Sequence, residues 1–148
     1  MNRKSLALLA VIVAGSHSAE SAELKYTDVI GTWRVTRVTV NSDGMQALHD
    51  DDPAYMGAVV QFSENKIVWL KGTAKRPIDP ENDSCDTAPR LSPATARNTE
   101  TVFQVDGGFN VMCGSYGWGP TAVLLAGNDG TVSLYWHDNG ILTLKREK

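Results

Sequence analysis

Helical pattern is almost absent from this chain. Beyond residue 22 no stretch sustains an apolar period of three to four residues, which argues against a fold built from amphipathic helices. No apolar run is long enough to span a bilayer as a helix. No internal repeat and no shift of composition marks a second domain in the 148 residues. Cysteine is scarce, with 2 in all, and neither sits in a C-x-x-C or Cys/His spacing that would suggest a redox motif or a zinc site. No G-x-S-x-G elbow occurs. Basic charge is not in excess either: 14 Lys and Arg face 17 Asp and Glu, which argues against nucleic acid or an anionic membrane as a partner.

What is present begins with an export signature. Asn2-Arg3-Lys4 forms a basic start, residues 5–15 an apolar stretch, and the small residues of 16–22 a cleavage region. The reading is a signal peptide over 1–22, cut between 18 and 22, followed by a single domain over 23–148. Loss of Arg3 and Lys4 leaves 12 basic residues against 17 acidic ones, or 16 if Glu20 is lost, a net charge of −5 or −4. No cysteine lies near the cut, so a lipid anchor is not expected. The expected location is the periplasm or beyond. In such an oxidising compartment Cys85 and Cys113 are expected to form a disulfide.

Strand signals fill the rest. β-Branched and aromatic runs, bounded by Gly, Asn and Asp, cover 31–40, 57–63, 66–72, 101–106, 109–114, 122–127, 131–136 and 141–147. Short turns such as Glu64-Asn65, Gly107-Gly108 and Asn128-Asp129-Gly130 join several of them. Longer connections cover 41–56, 73–100 and 115–120. Eight antiparallel strands in up-and-down order can close into a barrel without edges. The alternation of strand directions then gathers every long connection at one rim and leaves tight turns at the other. Cys85 and Cys113 fall at the loop-bearing end. The predicted fold is therefore an all-β, eight-stranded antiparallel up-and-down barrel without a C-terminal helix.

The two ends of the chain explain each other. Leu142, Leu144 and Arg146 share one face of the last strand, which ends where Gly31-Thr32-Trp33 begins the first. The Trp33 indole and the Arg146 guanidinium are expected to meet and close the barrel floor. Gly31-Thr32-Trp33 resembles the G-x-W motif of lipocalins and related calycins, in which that Trp packs against a basic residue of the last strand, here Arg146. The T-D-Y type motif of many lipocalins has no counterpart. The resemblance implies a small exported barrel of calycin type, a group that includes periplasmic enzyme inhibitors. Trp33 and Val35 share a face while Val38 and Val40 take the other, so a bulge is expected near Thr36-Arg37.

Chemistry-bearing clusters are few. His49, Asp50, Asp51 and Asp52 could bind a divalent cation with His137 and Asp138, but no fixed ligand spacing supports this, and neither a metal nor a cofactor is expected. Asp79, Glu81 and Asp83 alternate as in a calcium loop, yet Ser84 and Arg90 stand where Gly and Glu are required. A Ser115, His137, Asp138 triad fails because neighbours in an extended chain point apart. No catalytic residue is assigned. Tyr116 and Trp118, flanked by glycines, are either exposed anchors of a protein interface or a plug folded into the barrel mouth. Trp69 and Trp136 are placed in the interior or at its rim. The expectation is a non-catalytic binding protein whose rim residues Tyr116, Trp118, His49, Asp50, Asp51, Asp52, Trp136 and His137 bind an exported or periplasmic protein, as an inhibitor or immunity factor for a hydrolase. The alternative is carriage of a small apolar ligand inside the barrel, lined by Trp33, Phe62, Phe103, Leu134, Trp136 and Leu142.

Overall fold

The structure, a computed structural model, describes residues 23–40, 47–76, 78, 83–94, 107–137 and 140–148. Residues 1–22, read from sequence as a signal peptide, lie outside these residues. A single turn of helix, α1 (Tyr26–Val29), precedes β1 (Gly31–Val40). Then follow β2 (Val59–Phe62), β3 (Ile67–Leu70), β4 (Pro89–Pro93), β5 (Phe109–Cys113), β6 (Tyr116–Gly117), β7 (Val123–Ala126), β8 (Thr131–Trp136) and β9 (Gly140–Arg146). The sheet runs β3-β2-β1-β9-β8-β7-β5-β4, with β6 an extra arm on β5. All pairings are antiparallel. The two edges meet where Ile67 and Cys85 exchange both backbone hydrogen bonds at 2.8 Å. The result is a nearly closed, eight-stranded antiparallel barrel, compatible with a lipocalin-like fold.

Strand alternation builds the core. Val132, Leu134 and Trp136 on β8 and Leu142 and Leu144 on β9 are buried, while the residues between them are only half-buried. In β1, Val35 pairs with Leu144 and Arg37 with Thr143, which leaves Thr36 as the extra residue of a β-bulge. The bulge turns both Thr36 and Arg37 outward and lets Trp33, Val35 and Val38 all face the core.

The floor forms as expected. Trp33 stands directly across from Arg146 in the β1–β9 ladder, with the guanidinium 4.4 Å from the indole centroid. Helix α1 ends above this pair with its last carbonyls unpaired by the helix itself. Trp33 Nε1 donates to Val29 O at 2.7 Å, and Arg146 donates to Asp28 O and Ile30 O, each at 2.6 Å. Gly31 is required here: its φ is +140°, and a Cβ would run into the Arg146 guanidinium.

The fourth strand departs from expectation. Residues 101–106, read as a strand, lie outside the described residues, and β4 instead arises inside the stretch 73–100 that read as one long connection. Its two prolines hide it from a sequence reading. Arg90 and Ser92 fall in register with Met112 and Asn110, and Ala94 N donates to Gly108 O at 2.9 Å. Val111 directs its own N–H to Ala122 on the far side. The alternate residues Pro89, Leu91 and Pro93 therefore point their backbone away from β5, where a missing N–H costs no ladder bond. β4 ends and β5 begins at the floor, with residues 95–106 between them outside the described residues; tight floor turns join β2 to β3 at 63–66 and β7 to β8 at 127–130. Among the described residues, 47–58, 71–76, 83–88, 114–122 and 137 belong to the connections at the opposite rim, where β1, β3, β5 and β8 end.

Candidate functional site at the loop-bearing rim

The Cys85–Cys113 disulfide is formed, with Cα atoms 5.6 Å apart across 28 positions. It ties the segment that closes the seam to the top of β5. Directly beyond it, the β5–β6 hairpin carries Tyr116 at its tip, 80% exposed. Arg90 Nη2 donates to Gly114 O at 3.3 Å and braces this tip from β4.

Trp118, two residues on, is not an exposed anchor. It folds into the mouth and is 1% exposed. Its ring lies 4.7 Å from Trp136, 5.8 Å from Phe62 and 6.3 Å from Trp69, and its Nε1 donates to Asp83 O. Burying an indole this completely outweighs exposing it on a loop, because so large an apolar surface leaves water. Gly119 makes the approach possible: its φ is +52°, and a Cβ would lie 2.5 Å from the Trp136 ring. Trp136 is likewise core rather than rim, and its Nε1 donates to Tyr55 Oη at 2.8 Å. Tyr55 sits 5.6 Å from Trp69, and burial pushes its hydroxyl up to about 12. His137 packs against Trp136 and Tyr55 at 5.5 and 6.4 Å. Asp138 lies outside the described residues.

The acidic run is bound up with the barrel. β2 covers only the lower half of β1, so the upper half needs other partners for its edge. Ala58 O accepts from Val35 N at 2.8 Å, Asp51 Oδ1 from Val38 N at 3.2 Å, and Asp50 Oδ1 from Val40 N at 3.3 Å. Asp52 is buried and accepts from Ala54 N at 2.8 Å, Arg76 Nη2 at 3.0 Å and His49 N at 3.3 Å. Burial pushes its carboxyl up, but these hydrogen bonds overcome that and hold it below the usual carboxylate range. Its backbone oxygen opens the turn that presents Tyr55, accepting from Tyr55 N and Met56 N. The His49 ring is exposed, with Nε2 3.6 Å from Asp52. Among the described residues no group of three or more His, Cys, Asp or Glu is arranged to hold a metal.

The structure thus brings together Tyr55, Trp69, Trp118, Trp136 and His137, while Tyr116 stands apart as the exposed aromatic. Tyr55 was not assigned to the mouth from sequence, whereas Trp69, read as lining the interior or its rim, is buried there. The only signal was the Asp52-Pro53 turn, whose i+3 residue is Tyr55. No family model matches this chain, and no curated protein or solved structure matches it. What defines the protein is its architecture: a nearly closed, disulfide-clasped antiparallel barrel with an aromatic-plugged mouth. No helix among the described residues is long and apolar enough to cross a membrane.

Proposed function

We propose that this is a non-catalytic binding protein of lipocalin-like type, exported to the periplasm or beyond by a cleaved leader over 1–22. It docks a partner protein on its rim. An inhibitor or immunity role toward an exported hydrolase suits this layout. The disulfide supports an oxidising location.

The observation that carries the reading is Tyr116. An aromatic ring 80% exposed at the tip of a hairpin clamped by Cys85–Cys113 and by Arg90 is a pre-ordered anchor, the kind of residue that contributes most at protein interfaces. The packed mouth weighs against carriage of a sizeable ligand, since Phe62, Trp69, Trp118 and Trp136 already occupy the interior. The test is capture from the exported proteins of the source cell, with Tyr116→Ser as the control. A protein held by the wild type and lost by Tyr116→Ser supports rim docking. Equal capture by both, or none by either, rejects it. Tyr116 rather than Trp118 is the informative position, because truncating the buried Trp118 also unpacks the core.

A further inference from the structure

The barrel's seam is bridged at Ile67 and Cys85, and beyond that bridge no described strand pairs with the outer edge of β4. Arg90, Ser92 and Ala94 direct their backbone to β5, so Pro89, Leu91 and Pro93 direct theirs to this edge. Proline has no N–H, and the edge therefore presents three carbonyls but a single donor, the N–H of Leu91. Among the described residues no hydrogen bond engages any of these groups. An unpaired strand edge is a template for another chain. Alongside it lies an open crevice of about 290 Å³ between residues 23–26 and β4. Leu24, Tyr26, Leu91 and Phe109 give the crevice apolar walls, and the exposed Arg90 stands at its margin.

We propose that this edge and its crevice bind an extended segment of another protein by strand addition. The hydrogen-bonding inventory selects the occupant. Two copies of β4 hold only two outward N–H groups between them, so self-pairing makes at most two hydrogen bonds in any register and leaves proline carbonyls without donors. A foreign antiparallel strand with an N–H at each alternate position makes four: two with Leu91, one to Pro89 O and one to Pro93 O. The prolines thus guard the edge against a second copy while leaving it open to a donor-rich guest. The same register puts the guest residue opposite Leu91 on the face of the Leu91 side chain, which packs toward the core beside the crevice. Its neighbours fall on the outer face, opposite Arg90 and Ser92. The matching segment carries an apolar residue with an acidic neighbour facing Arg90, and no proline at the donating positions. The site is distinct from the rim and stands independently of rim docking.

Titration of the 15N-labelled protein with the blocked peptide acetyl-Thr-Glu-Leu-Glu-Thr-amide, followed by amide NMR, tests it. The expected result is a saturable downfield shift of the Leu91 amide. The same peptide with its leucine N-methylated lacks the donor to Leu91 O and should bind about tenfold more weakly. Leu91→Pro removes the edge's one N–H, which serves no ladder bond, and should lose the peptide as well; if that variant does not fold, the N-methylated peptide decides alone. A Leu91 amide that stays unmoved at millimolar peptide overturns the proposal. Equal binding of the two peptides, or peptide binding retained by folded Leu91→Pro, also overturns it, because apolar insertion without strand pairing then accounts for the contact. A Leu91 shift that follows protein concentration with no peptide present shows self-pairing and overturns the assignment to a foreign strand.

Discussion

Replacing Cys85 and Cys113 together by alanine removes the clasp on the barrel's seam. Alanine is the right substitute because Cys85 is fully buried, and a serine hydroxyl there would need a partner. The bridge closes a loop across 28 positions, for which the chain-entropy treatment gives about 3.6 kcal/mol. If the freed segment also leaves β3, the two backbone hydrogen bonds between Ile67 and Cys85 go with it, at about 1 kcal/mol each. The loss then reaches about 5–6 kcal/mol, comparable to the whole stability of many small domains, about 5–15 kcal/mol. Urea unfolding followed by tryptophan fluorescence reads this directly, because Trp69, Trp118 and Trp136 all lie in the mouth beside the seam. With a slope of roughly 1.8 kcal/mol per molar urea, 3.6 kcal/mol moves the midpoint down by about 2 M. Amide exchange at Ile67 separates the two contributions: fast exchange in the variant shows that the seam has opened. A midpoint shift under about 0.5 M, with Ile67 still protected, would refute the idea that this disulfide holds the barrel closed.

The other two predictions concern single side chains. Arg146→Ala removes the cation–π contact to Trp33 and both donors to the α1 carbonyls, and should cost about 1–3 kcal/mol in thermal unfolding; a neutral effect would show that the floor closes without it. Asp52 titrates lower in the folded than in the unfolded chain, where an aspartate sits at about 3.9. The unfolded state therefore binds the extra proton, so the stabilisation is complete above about pH 4 and is lost as pH falls through the folded value. The stability gap between wild type and Asp52→Asn should accordingly be constant near neutrality and shrink below about pH 4; a gap that persists in strong acid contradicts the role given to this carboxylate.

Much of this protein was legible from its sequence, for reasons that are local or nearly so. Alternation in β8 and β9 named their buried faces. The face change within β1 required a bulge, and Thr36 supplies it. Gly31-Thr32-Trp33 at one end and Arg146 at the other share a strand register, so their meeting followed once the first and last strands were paired. The pairing of Cys85 with Cys113 followed from a count of two cysteines and a common end of the barrel. Tertiary structure alone decided the rest. Pro89 and Pro93 argue against a strand until it is known that β4 is an edge whose outward backbone needs no donor. Asp50 and Asp51 look like a solvated run until β2 proves too short to cover β1, and its bare N–H groups claim their carboxylates. Trp118 had two plausible directions, and the choice depended on whether distant residues leave a hole of the right shape. Phe62, Trp69 and Trp136 do, because side-chain packing is a property of the closed cylinder and not of any one strand within it.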